Sequence, residues 1–154
     1  MVKVNLKKEK TFEPVLIEPD TYDAVITIIS DIFRSQGFNG SETEKLIISF
    51  NLDYRDGKTI QLPLFLSAVV SKGNGDYSNS KLYDILEQAQ QIEPFEQFSV
   101  ELAKIINNQE KNQLFVNYLK KNFLNKRCKI LVKTIQSKNG DDYSVVDKVI
   151  KFYS

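Results

Sequence analysis

The stretch RCKILVKTIQSKNGDDYSVVDKVIKF, Arg127 to Phe152, sets two β-branched runs on either side of Asn139-Gly140. Asn-Gly suits the positive φ angles of a tight hairpin turn, and runs rich in Val, Ile and Thr fit a pleated, half-buried surface. The spacing predicts two antiparallel strands, roughly Cys128 to Gln136 and Tyr143 to Phe152. What precedes this hairpin decides which fold it closes.

Working outward, EKNQLFVNYLKKNFLN (Glu110 to Asn125) carries Leu114, Phe115, Tyr118, Leu119 and Phe123 as an apolar stripe, and FEQFSVELAKIINN (Phe95 to Asn108) is a second helical signal. From Ser80, Leu82, Ile85, Leu86 and Ala89 recur at helical spacing behind an Asn79 or Ser80 N-cap. Earlier still, KTIQLPLFLSAVVS and EKLIISFNLDY alternate, the latter with Leu46, Ile48, Phe50 and Leu52 inward and Lys45, Ser49, Asn51 and Asp53 outward. Arg55 to Gly57 forms the turn between them, and Pro63 confines the later run to an edge or a bulge. PDTYDAVITIISDIF, Pro19 to Phe33, reads as one long strand with Tyr22, Ala24, Ile26 and Ile28 on a single face. The order is therefore three strands, a helical segment over 79–125, and two strands. Residues before about Thr11 are expected to form a flexible N-terminal arm.

Lys72 to Ala89, KGNGDYSNSKLYDILEQA, has the glycines and the lysine of a phosphate-binding loop but not its G-x-x-x-x-G-K-[ST] spacing. Gly75 is followed by Ser80-Lys81-Leu82, so the second glycine and the metal-binding hydroxyl are missing. A strand-to-helix joint explains the stretch better.

The chain has 154 residues, no histidine and one cysteine, Cys128, which excludes His/Cys zinc sites, Ser-His-Asp triads and an intramolecular disulfide. Its length suits one domain. No apolar run reaches the roughly 18 residues of a membrane helix and no secretory signal is visible, so a cytoplasmic protein without a membrane partner is expected. A carboxylate-only metal site has just Asp53, Asp56, Asp141 and Asp142 to offer, all in turns where Asp is favoured anyway. No cofactor, metal or catalytic group is expected. Residues 1–110 hold 11 Lys/Arg against 17 Asp/Glu, or −6, whereas 111–154 hold 10 against 3, or +7. Such separation can create a local positive field under a net charge of only +1. A solvated helix face and a salt-bridged strand would give the same count.

DTYDAVITIISDI, NSKLYDILEQA and RCKILVKTIQSKNGDDYSVVDKVI, in this order, resemble OB-fold single-stranded nucleic-acid-binding proteins, and more narrowly small phage and archaeal-virus replication-associated proteins of that type. The resemblance implies a mainly β fold with a helical insertion: a five-stranded Greek-key barrel, helices between its third and fourth strands. It departs from the pattern in the helical region, where Phe95 to Asn125 exceeds a simple OB helix. It implies binding of single-stranded DNA or RNA by base stacking and phosphate contacts. The rings that alternation places outside the core or in loops are Phe65, Tyr54, Tyr77 and Phe38, with Phe65 opposite in parity to Leu62, Leu64 and Leu66. Phosphate contacts would come from Arg55, Lys58, Lys72, Lys129 and Lys133. Lys120, Lys121, Lys126 and Arg127 form a second cluster, which complementing a helix C-terminus is sufficient to explain and explains better.

A different class of function stays open. The Gln- and Asn-rich helical insertion, around Gln88 to Gln91 and Asn107 to Gln113, suits a protein partner or a second copy, with no nucleic acid involved.

Overall fold

The computed structural model describes residues 15–36 and 40–153. The expected N-terminal arm and Phe38 lie outside these residues. In chain order the elements are β1 (Thr21–Ile29), β2 (Phe33–Gln36), β3 (Glu42–Asp53), β4 (Thr59–Ser67), α1 (Lys81–Gln88), α2 (Ile92–Leu102), α3 (Asn108–Phe123), β5 (Arg127–Gln136) and β6 (Asp142–Phe152). The fold is mainly β with three helices between β4 and β5. The six strands make one antiparallel sheet in the order β2-β3-β1-β5-β6, with β4 also paired to β3.

The long first strand of the sequence reading is two strands in the structure. At Ser30 the backbone N–H donates to the Ile47 carbonyl (2.9 Å) while Ser30 Oγ accepts from Ile47 N–H (2.9 Å), and a register shift falls between Ile26 and Ile28. A bulge of this kind turns side chains over. Ile29, not Ile28, is therefore buried, and Ile28 faces outward.

β3 keeps its alternation: Leu46, Ile48, Phe50 and Leu52 are fully buried against Leu62, Leu64 and Leu66 of β4 and Ala24 and Ile26 of β1. β5 and β6 add Cys128, Ile130, Val132, Val146 and Val149 to the same core. Each buried Leu, Ile or Val of this kind contributes on the order of 1.5–3 kcal/mol of transfer free energy. Pro63 lies in an edge strand, paired with Ser49, as its missing N–H requires. The hairpin turns at Asn139-Gly140 as expected, but only Gly140 takes a positive φ (+89°): its N–H donates to the Ser137 carbonyl (3.0 Å), closing the turn over Lys138 and Asn139.

The stretch from Lys72 to Ala89 is a loop folded onto the start of a helix. Ser80 caps α1, its Oγ accepting from Tyr83 N–H (3.2 Å) and also from Ser71 N–H (3.0 Å), while Asn79 Oδ1 accepts from Gly73 N–H (2.7 Å). Gly73 is needed because a Cβ there would sit 2.1 Å from the Tyr77 carbonyl oxygen. α1 buries Leu82, Ile85 and Leu86 against β4 and β6. α2 begins earlier than its periodicity suggested, at Ile92, because Pro94 is tolerated in a first helical turn. α3 is capped by Asn107, whose Oδ1 accepts from Glu110 N–H (2.8 Å). Phe95, Phe98, Phe115 and Tyr118 join α2 to α3, with Phe98 and Tyr118 stacked at 4.2 Å.

β4, an edge strand paired to β3, and β6, at the far end of the sheet, lie against one another without a hydrogen-bonded ladder. Val15 to Ile17 docks on β6: Ser144 N–H donates to the Val15 carbonyl (2.6 Å), and Ser144 Oγ accepts from Ile17 N–H (2.9 Å).

Candidate nucleic-acid interface

Residues between the core positions of β3 and β4 point to the other face of the sheet. The register pairs Lys45 with Ser67, Ile47 with Phe65, Ser49 with Pro63, and Asn51 with Gln61. On the far side of β3, Phe33 pairs with Lys45 and Ile28 with Ser49. This places Phe65 (43% exposed), Ile47, Ile28 (49%) and Phe33 (39%) on one outward face around Lys45. Three large apolar side chains exposed on three strands around the half-buried Ile47 of β3 form a patch, unlike single exposed residues, which are ordinary.

Of the described rings read from the sequence, Phe65, Tyr54 and Tyr77, only Phe65 belongs to this face. Tyr54, just past β3, is half-buried, with the Tyr22 ring 5.9 Å away and the Arg55 guanidinium 5.4 Å from its centroid. It also stands seven residues along from Ile47, roughly 20 Å at strand rise. Tyr77 is 79% exposed, in the loop before α1. The cations are dispersed as well. Arg55 is ion-paired with Glu18, and Lys133 with Asp147 at 3.2 Å. Lys129 is half-buried on β5 opposite Asp23, Lys58 is exposed beside the Arg55 turn, and Lys72 borders a cavity with Tyr83, Phe95 and Glu96. The structure therefore brings none of the five expected phosphate contacts onto the Phe65 face.

Sequence reasoning missed Phe33, Ile28, Ile47 and the role of Lys45. Alternation already marked Lys45 as outward. Ile28 was invisible because the bulge reverses its face, and Phe33 because its partner strand was unknown.

Beside Phe65 a cavity of about 380 Å³ opens between β4 and the β5–β6 turn. Leu62, Pro63 and Phe65 form one side, and Ser137, Asn139, Asp141 to Ser144 and Val15, which is docked on β6, the other. Elsewhere burial shifts three titrating groups. It pushes the Cys128 thiol up to about 12, and it raises Tyr22, helped by the nearby Tyr54 and Asp20, and Tyr118. The Tyr153 hydroxyl is raised by its hydrogen bond to Asp23. Among the described residues no three acidic or cysteine side chains gather as a metal site requires, and no helix is long and apolar enough to cross a membrane.

No protein-family model matches the chain, and no curated protein matches it in sequence.

Proposed function

We propose that the protein binds single-stranded DNA or RNA across the outer face of β3 and β4. The observation that carries this reading is the exposed Phe65 ring set in one patch with Ile47, Ile28, Phe33 and Lys45. Bases stack on exposed rings and apolar platforms, at about 1–3 kcal/mol per base, without needing a particular sequence. A lysine amid the platform replaces counterions along the phosphate backbone. The sheet itself reads as an OB-like barrel with one unzipped seam. β4 and β6 approach in the same sense, Leu62 and Pro63 beside Tyr143 and Ser144, then Leu64 beside Asp147 to Val149. α1 sits across the end of this seam, where an OB barrel is plugged.

Fluorescence anisotropy with labelled oligo-dT tests the reading. Binding at low salt that weakens steeply as salt rises is the expected result; no binding at low salt would sink it.

A second reading rests on Ile106, 98% exposed in the α2–α3 connection, with Val100 exposed nearby. These side chains suit assembly through the inserted helices. A concentration-dependent sedimentation coefficient that Ile106→Asp abolishes would favour it.

A further inference from the structure

We propose that the cavity between β4 and the β5–β6 turn receives one guanine base of the bound strand, an inference that rests on the nucleic-acid reading above. Its walls are apolar, from Leu62, Pro63 and the Phe65 ring, which suits the face of a base. Its rim is acidic: Asp141 and Asp142 line it, and among the described residues no lysine or arginine does. Carboxylates repel phosphate, so the backbone must stay outside. They accept hydrogen bonds only, and a carboxylate takes two parallel N–H donors best.

Guanine alone among the common bases offers two adjacent donors on one edge, N1–H and the N2 amino group. Adenine and cytosine set an acceptor nitrogen beside their amino group, and thymine or uracil sets its N–H between two carbonyls. An acidic rim repels these acceptors. Among the described residues neither Asp141 nor Asp142 is held in an ion pair, so each carboxylate is available to a base edge. The volume, about 380 Å³, falls within the range of small-ligand pockets.

Anisotropy titrations of the full chain would compare a labelled oligo-dT with the same oligomer carrying one central dG or one central deoxyinosine. The dG oligomer should bind about tenfold more tightly, the size of one bidentate base contact. Deoxyinosine, which lacks the N2 amino group, should lose most of that gain. Asp141→Asn or Asp142→Asn should abolish the gain while leaving oligo-dT affinity within about twofold, since Asn is equally at home in a turn. Equal binding of the dG and dT oligomers would overturn the guanine site and leave the nucleic-acid reading standing. So would a dG gain that survives in the Asp141→Asn/Asp142→Asn double variant. Failure of every oligomer to bind at low salt would remove both.

Discussion

Phe65 projects from an edge strand, on the face opposite its buried sequence neighbours Leu64 and Leu66. Phe65→Ala should weaken oligo-dT binding about tenfold, the contribution of one stacked base. Lys45→Ala should lower the salt slope of binding by about one ion. Lys133→Ala should do less, because Asp147 already holds that ammonium at 3.2 Å. Anisotropy over a salt series reads both. Cys128 gives a prediction about pH. Its folded pKa lies above the ordinary 9.0, at about 12, so between those values the folded state holds a proton that the unfolded state releases. This group's contribution is intact below about pH 9 and is lost as pH rises toward 12. Thiol labelling at pH 8 should be negligible in the native protein and complete in denaturant.

The strand-to-helix joint is the element on which the loop between β4 and α1 depends. Ser80 Oγ accepts from two backbone N–H groups, so Ser80→Ala should cost about 1 kcal/mol or somewhat more in urea denaturation. Gly73→Ala drives a methyl into the Tyr77 carbonyl and should cost roughly 1–3 kcal/mol. Leu86→Ala, inside the plug, should cost about 2–5 kcal/mol. The joint was legible in the sequence because capping and helical spacing are local signals, as were the β5–β6 hairpin and the alternation of β3. The break at Ser30 was not. It is made by hydrogen bonds to Ile47, seventeen residues away, and nothing in PDTYDAVITIISDIF announces that partner. α2 starts three residues before the expected Phe95, because Pro94 reads as a breaker unless the helix start is already known, and it ends at Leu102, short of the expected Asn108.

At the scale of the whole molecule, the candidate face exists only once register is set. Phe65 could be read from parity, but its company could not, since Phe33, Ile28 and Lys45 meet only through β3. For the same reason the cations chosen by charge and loop position proved scattered, two of them, Arg55 and Lys133, spoken for by Glu18 and Asp147. The acidic body and basic end of the chain therefore do not translate into one basic surface beside Phe65. Stacking is left to carry most of the affinity, and salt to modulate it. The measurement that tests this most directly is a ¹H–¹⁵N correlation titration of the protein with oligo-dT at low salt. The account predicts shifts concentrated at Ile28, Phe33, Lys45, Ile47 and Phe65; unmoved resonances, or shifts confined to α2 and α3, would contradict it.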